Sequence, residues 1–207
     1  MARGTSSGNY YTVDRRYNGA TALSAAAWIY YSTSGDHTIA GLWEGGTPNR
    51  LQWLISVNAS NQAVIAVNDT SAGIRVVIGG TVSRNAWQHI ALAYSSSGTN
   101  GVQGFLNGSS IGFTSAGTLK TETDNFGLGA RQAGVQPFPG RIAEFATWTS
   151  RLTTAQVDSL AKGFAPPKVL KPDCYIPLVR DVSDLANKYA ITTVGAPTVE
   201  NHPRIYK

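Results

Sequence analysis

Short runs of apolar residues that alternate with polar or small residues recur along most of the chain. Ile90, Leu92 and Tyr94, for example, share one face of an extended segment. A period of two is typical of β-strands that bury one face. Strands are predicted for residues 9–13, 23–31, 38–43, 51–57, 62–67, 74–78, 87–94, 102–106, 110–114, 126–130 and 141–148. Many short strands joined by close turns predict a sandwich or a barrel.

Two local features refine these strands. Asn107-Gly108 lies between two apolar runs, which is a strong signal for a type I′ hairpin because both residues tolerate positive φ. The run 141–148 does not alternate cleanly, since Ile142 and Phe145 fall on opposite faces. A β-bulge inside this strand would restore the alternation.

One helix is predicted, close to the C-terminal part of the chain. Residues 153–156 have the spacing of a capping box, and Val157 begins a run of apolar residues at helical spacing. Gly163 can cap the C-terminal end of this helix. The proline-rich segment that follows predicts an extended tail, residues 164–207, after a domain of residues 1–163.

Composition excludes several classes of protein. Only 14% of the 207 residues are charged, against about 25% in ordinary globular domains. The 22 glycines suit tight turns and argue against a helical bundle, and five tryptophans argue against disorder. The net charge of +5 comes from scattered basic residues, so no nucleic acid is expected as a partner. No apolar run is long enough for a membrane span or a signal peptide, and the single Cys174 excludes an internal disulfide.

The motifs, taken in order, resemble the laminin-G-like, concanavalin A-like jelly roll. They are residues 23–29, 85–91, 102–108, 126–129 and 138–144, followed by Trp148 and by Arg151-Leu152-Thr153. The resemblance implies an all-β fold, a two-sheet antiparallel jelly-roll sandwich with one short C-terminal helix and an extended tail. It also implies that Trp28, Trp87 and Trp148 occupy core positions and serve in packing.

The tail has a narrower resemblance, on residues 160–163, Pro166, Pro172, residues 175–180 and residues 202–204, to an extension found on such domains in bacteriophage proteins. This implies a non-catalytic structural component of a virion, such as a capsid decoration protein, a head fibre or a tail-associated protein. The expected partners are other virion proteins and further copies of this chain, with a host-surface glycan as an additional ligand. A proline-rich tail is expected to need neighbouring subunits for its order. The expected contact residues are Tyr175, Pro177, Leu178, Ile205 and Tyr206.

A carbohydrate-binding adhesion module is the alternative. Trp43 at a predicted strand end could stack on the C–H face of a sugar, while Glu44, Asn49 and Arg50 offer hydrogen bonds. The competing interpretation is that Trp43 packs across the sandwich, as most tryptophans do.

A glycoside hydrolase is the weakest of the three hypotheses. Retaining enzymes need two carboxyl groups about 5 Å apart, but the closing strand offers Glu144 alone, with Ala143 beside it. His37, His89 and His202 lack metal-ligand spacing, so no cofactor is expected. A calcium ion at the rim is disfavoured, since the candidate ligands are only Asp69, Asp124 and Asn125.

Overall fold

The computed structural model describes residues 2–6, 8–44, 50–178, 182–203 and 205. These residues form two antiparallel sheets, and the predicted two-sheet sandwich is confirmed. No helix in the described ranges is long and apolar enough to cross a membrane. The strands are β1 (Ala2–Thr5), β2 (Tyr10–Val13), β3 (Ala22–Tyr31), β4 (His37–Glu44), β5 (Arg50–Val57), β6 (Gln62–Asp69), β7 (Gly73–Thr81), β8 (Trp87–Ser95), β9 (Val102–Leu106), β10 (Ser109–Thr114), β11 (Phe126–Leu128), β12 (Gly140–Trp148), β13 (Cys174–Ile176), β14 (Ile191–Val194) and β15 (Val199–Glu200), and the helices are α1 (Thr154–Ala161) and α2 (Pro166–Val169).

The seven-stranded sheet, here called the front sheet, has the order β14-β2-β11-β4-β5-β6-β7. The eight-stranded sheet, here called the back sheet, has the order β10-β9-β8-β3-β12-β1-β15, with β13 also bonded to β12. Strands that are distant in the sequence are therefore neighbours near the middle of both sheets, as expected for a jelly roll.

Aromatic side chains lock the two sheets together. Trp53 and Phe126 point inward from the front sheet, and their ring centroids are 5.3 Å apart. Phe145 approaches Phe126 from the back sheet, with ring centroids 5.6 Å apart. All three side chains are completely buried. The high aromatic content of this chain thus fills the layer between the sheets, where large buried rings stabilise the fold most.

The predicted hairpin and the predicted bulge are both present. Asn107 and Gly108 have φ angles of 50° and 81°, as a type I′ turn between β9 and β10 requires. In β12 the register against β3 shifts between Ala143 and Ala146. Glu144, inside this shift, has a φ of 51°. The extra residue turns Phe145 back into the core, which explains the broken alternation.

Helix α1 covers the outer face of the back sheet. Thr153 caps the helix, and the amide of Gln156 donates to its side chain in the predicted capping box. The buried side chains that α1 contributes are Val157 and Leu160. They pack in one cluster with Trp148 and the small residues of the sheet face. Helix and sheet therefore share a second, outer core.

Trp28 and Trp87 are not core residues, which corrects the interpretation based on the resemblance. Alternation along β3 and β8 turns both indoles to the outer face of the back sheet, where they are half-buried. Trp28 packs against His89 with ring centroids 5.6 Å apart, and Trp87 packs against Tyr30 at 5.8 Å. Trp28 and Trp87 do serve in packing, but they pack outside the layer between the sheets.

The segment after residue 163 completes both sheets instead of extending away from them. Strand β13 pairs with β12, β14 with β2 and β15 with β1. Backbone hydrogen bonds to these strands supply the order that the sequence interpretation attributed to neighbouring subunits. The prediction that the tail is extended and needs neighbouring subunits for its order thus loses its premise.

The predicted contact residues of the tail are mostly buried within this chain. Tyr175, Pro177 and Leu178 are buried, and Ile205 is half-buried. Tyr206 lies outside the described residues. Tyr175 and Leu178 therefore hold the tail on its own domain. Their contact with a neighbouring subunit, and contact of the tail with virion proteins, stay predictions.

His89 gives the fold a dependence on pH. Its side chain is 2% exposed, and burial lowers its pKa to about 3. The ordinary pKa of a histidine is about 6.5. Below that pH, His89 is protonated in the unfolded chain but stays neutral in the folded chain, so the free energy of unfolding falls as the pH falls. The expected loss is about 1.4 kcal/mol per pH unit, or about 2 kcal/mol between pH 6.5 and pH 5.

Urea denaturation of the wild type and of His89→Gln at both pH values measures this loss. The glutamine variant should lose about 2 kcal/mol less than the wild type over the same interval, because it cannot take up the proton. Equal losses in the two proteins would contradict the assignment to His89.

Candidate functional site

A groove of about 260 Å³ lies on the outer face of the front sheet. Strands β4 to β7 form its floor, and residues 36–37 together with 131–136 contribute its wall. The outer face of the back sheet is covered by α1 and by the C-terminal segment. The groove therefore occupies a sheet face that the rest of the described chain leaves open.

The floor of the groove is apolar although it faces solvent. Two rows of residues cross β5, β6 and β7 side by side. The first row is Leu54, Ala66 and Val76, and the second is Ser56, Val64 and Ile78. Val76 and Ile78 are 43% and 54% exposed. Leu54, Ala66 and Ser56 are only 4%, 2% and 8% exposed, so the exposed apolar surface is formed by Val76 and Ile78 of the edge strand β7. Exposed apolar side chains that border a groove are typical of a binding site.

Close backbone packing at Gly127 positions one wall. A Cβ atom at Gly127 would lie 2.1 Å from the carbonyl oxygen of Ala130. The chain after β11 therefore turns directly back over this glycine, whose strand partner on β4 is Gly41. The turn carries Arg131 to the groove, where the amide of Arg131 donates to the carbonyl of Val135 at 2.9 Å. A larger residue at position 127 would displace this wall.

The Arg131 guanidinium is the cationic group of the groove. Burial lowers the pKa of Arg131, while the nearby carboxylate of Asp36 acts in the opposite direction. Arginine remains charged under all ordinary conditions. Its Nε is buried and has no hydrogen-bond partner among the described residues. A buried donor of this kind requires an acceptor, which a ligand or water can supply.

His37 lines the same wall. Its Nδ1 lies 2.8 Å from the carbonyl oxygen of Pro137. A carbonyl can only accept, so Nδ1 carries the proton and donates it. In the neutral ring Nε2 is then an acceptor, and in the described part of the chain it has no partner. Arg131 Nε and His37 Nε2 are thus both enclosed within the wall, and a ligand in the groove would meet Arg131 through the rest of its half-buried side chain.

The predicted sugar patch is only partly at this groove. Trp43 is half-buried and lines the groove, so it does not pack across the sandwich. Glu44 and Arg50 lie at the adjoining strand ends and form an ion-pair cluster. Arg50 Nη1 pairs with Asp124 Oδ2 and is 3.9 Å from Glu44 Oε2. Asn49 lies outside the described residues.

Sequence reasoning missed Arg131, His37 and the floor. The strand prediction for residues 74–78 contained the signal for the floor. Its alternate residues Ile74, Val76 and Ile78 are all apolar, yet they are 49%, 43% and 54% exposed. No local pattern links the wall to this floor, because the turn at Gly127 brings the wall from a distant part of the sequence.

Glu144, the single acid of the closing strand, is remote from the groove. It is 5% exposed and accepts a hydrogen bond from the hydroxyl of Tyr175. His202 Nε2 lies 2.9 Å from Glu144 Oε1, without the alignment of a hydrogen bond. Both partners belong to the C-terminal segment, so Glu144 fastens that segment to the back sheet. Among the described residues that line the groove, Asp36 is the only carboxylate.

The residues considered for calcium do not fit a calcium site. Asp69 accepts from backbone amides and from Arg75, Asp124 pairs with Arg50, and Asn125 accepts from Arg16. These oxygens are occupied by donors of the protein, whereas calcium needs six or more oxygen ligands that converge. Within the described ranges, no three His, Cys, Asp or Glu side chains form a cluster that could hold a metal ion.

Comparison with known proteins places the chain in a family. The laminin G family model that represents the concanavalin A-like lectin/glucanases superfamily matches residues 4–158. The chain belongs to this superfamily. The resemblance deduced from the sequence motifs is therefore confirmed. No curated protein matches the sequence of this chain.

Solved structures share the fold at low sequence identity. A protein of Bacteroides ovatus, provisionally described as carbohydrate binding, has a TM-score of 0.70 and 20% identity over 97% of this chain. This chain spans 61% of the length of that protein. The carbohydrate-binding module CBM40 of a Ruminococcus gnavus sialidase, bound to α2,6 sialyllactose, has a TM-score of 0.59 and 15% identity over 78% of this chain and 94% of the module. A pentraxin of Limulus polyphemus has a TM-score of 0.60 and 13% identity over 90% of this chain and 88% of its own.

Proposed function

We propose that this chain is a carbohydrate-binding module that holds a glycan in the groove of the front sheet without cleaving it. The observation that carries this proposal is the apolar floor beside the half-buried Trp43, with the polar side chains of Asp36 and Arg131 also lining the groove. Sugars present both an apolar C–H face and hydroxyl groups, so such a groove can satisfy both. A neighbour of the same fold that is bound to sialyllactose, and another that is provisionally described as carbohydrate binding, support the proposal.

The proposal that the module does not cleave its glycan rests on the number of carboxylates that line the groove. Hydrolysis of a glycosidic bond generally needs two positioned carboxyl groups, and the described lining of the groove has only Asp36. Incubation with polysaccharides should therefore release no reducing ends. Time-dependent release of reducing ends by the wild type, abolished in an Asp36→Asn variant, would contradict this part of the proposal.

Replacing Trp43 by alanine should weaken glycan binding about tenfold, or about 1.4 kcal/mol, because the stacking surface for the sugar is lost. A glycan array identifies a ligand for the wild type, and titration calorimetry then measures its affinity for both proteins. Trp87→Ala is the matched control, since that indole is also half-buried but lies on the back sheet. The proposal fails if the wild type binds no glycan, or if both alanine variants bind as the wild type does.

A place in a bacteriophage virion is a finer proposal, carried by the resemblance of the C-terminal segment. Exposed apolar side chains in that segment favour a contact with another protein. They are Phe164, Leu185 and Val199, at 46%, 61% and 48% exposure. Antibodies against this chain should label purified particles of a phage that encodes it. Detection of the chain only in the lysate, and not on particles, would overturn the proposal.

A further inference from the structure

The groove contains a cation that the fold does not neutralise. Several arginines of the chain have carboxylate partners, among them Arg15 with Asp173 and Arg75 with Asp69. Arg131 has no carboxylate within ion-pairing distance among the described residues, although Asp36 on the same wall is near enough to act on its pKa. The Arg131 guanidinium is thus not held in an ion pair by the described chain, and its side chain lines the groove.

The loop that holds Arg131 is ordered by its own hydrogen bonds. The amide of Gly134 donates to the carbonyl of Arg131 at 3.1 Å. Gln132 Nε2 donates to the carbonyl of Asn125 at 2.5 Å. Ala133 and Gln136 both have positive φ, at 58° and 49°, so the turn is tightly constrained. The backbone at Arg131 is thus positioned before any ligand binds, which reduces the entropy lost on binding.

The chemistry of this group identifies the class of ligand. A guanidinium forms two parallel hydrogen bonds with a carboxylate, and these are stronger and more directional than bonds to a hydroxyl. Arg131 lines the groove and is half-buried, so the part of its guanidinium beyond the buried Nε is the part that a ligand would contact. Beside it, Trp43 offers an aromatic face. A carboxylated sugar carries a group complementary to each of these two side chains.

We propose that the groove selects acidic saccharides, and that the guanidinium of Arg131 binds the carboxylate of the sugar. This inference rests on the proposed function, since it names the class of glycan that the groove accepts. Two kinds of acidic sugar have this chemistry, namely terminal sialic acids and uronic acids.

Titration calorimetry with matched ligand pairs tests the inference. One arm compares 3′-sialyllactose with lactose, and the other compares oligogalacturonate with the corresponding neutral galacto-oligosaccharide. We expect the wild type to bind the acidic member of at least one pair about tenfold more tightly than the neutral member. The arm that shows the preference identifies the kind of acidic sugar.

Variants connect the preference to Arg131. Arg131→Gln should bring the ratio of the acidic to the neutral affinity close to one, whatever the absolute affinities become, whereas Arg131→Lys should keep part of the preference, because lysine retains the charge but not the planar fork. Arg84→Gln, which removes an exposed arginine outside the groove lining, should keep the full preference. Thermal melting of each variant checks that the fold is intact.

The outcomes separate this inference from the proposed function. Binding of neutral glycans that depends on Trp43, with no preference for the acidic members, overturns the acidic class and leaves the carbohydrate-binding function standing. A preference that survives in Arg131→Gln also overturns the role of Arg131. If the wild type binds no glycan of either kind, both proposals fail together.

Discussion

Replacing Asp69 by alanine should lower the free energy of unfolding by about 3–5 kcal/mol, because it leaves a partly buried arginine and several backbone donors without their partner. The side chain is completely buried at the end of β6. Its carboxylate accepts from the amides of Ser71, Ala72 and Gly117, and Arg75 Nε lies 3.0 Å away. One residue thus fastens the β6–β7 turn to the loop that follows β10.

The pKa of Asp69 reflects the same contacts. Burial alone would raise this pKa, but the hydrogen bonds from Gly117, Ala72, Ser71 and Arg75 outweigh it and hold the pKa well below its usual value. A lowered pKa means that the stabilisation is complete above about pH 4 and is lost only in stronger acid. Most of the pH window of His89, which lies between about pH 6.5 and 3, is therefore above that of Asp69.

Urea denaturation at pH 7 measures the expected loss in Asp69→Ala. Asp14→Ala is the matched control, because Asp14 also pairs with an arginine but is half exposed, and an exposed pair contributes less than about 1 kcal/mol. Asp69→Asn should fall between the two, since it retains an acceptor oxygen but loses the charge. An Asp69→Ala protein that is no less stable than the control would refute this account.

Asp184→Ala should release the C-terminal segment from the domain. The carboxylate of Asp184 is buried and accepts four backbone amides, which belong to Tyr175, Ala186, Asn187 and Tyr189, at distances between 2.7 and 3.1 Å. Hydrogen bonds to a charged acceptor are individually strong, so their joint loss should cost about 3 kcal/mol. The loss of stability should be concentrated in the C-terminal segment, to which these amides belong.

Cys174 provides a direct readout of this release. It is the only cysteine of the chain, and its side chain is completely buried next to Tyr175. Burial raises the pKa of its thiol, so the native protein should react slowly with thiol reagents. Asp184→Ala should react at least about tenfold faster, in keeping with a local loss of more than about 1.4 kcal/mol. Because the Asp184 carboxylate also raises the pKa of this thiol, hydrogen exchange of the Tyr189 amide, which donates to Asp184, is measured as well and should accelerate in the same variant. The control is Asp158→Ala on the exposed face of α1, and equal rates in the two variants would count against the prediction.

Features that depend on neighbouring residues could be predicted from the sequence. The turn at Asn107-Gly108, the bulge at Glu144 and the cap at Thr153 each follow from the preferences of a few adjacent residues. The strands followed from alternation for the same reason. Alternation does not state which of two apolar faces points outward, however. For this reason Trp28 was predicted to lie in the core, although it lies on the outer face of the back sheet.

The groove and the tail depend on contacts between distant parts of the chain. The wall at Arg131 reaches the floor only because Gly127 permits a close approach, and no local signal describes that approach. Gly163 correctly indicated the end of α1. The prolines at 166 and 167, however, begin α2 instead of an extended segment, and they could not indicate that β13, β14 and β15 would find partners in both sheets. Trp43 was the one groove residue that the sequence singled out.

The pairing of β1 with β15 has a consequence for how this domain can be combined with others. Ala2 lies directly opposite Glu200 in that pair, so the first and the last strand of the described fold lie side by side, about 5 Å apart at this point. A host protein could therefore carry the whole domain as an insertion within one of its own surface loops, since adjacent ends leave the host backbone almost where it was. The same arrangement would allow the two ends to be joined and the chain to be reopened elsewhere.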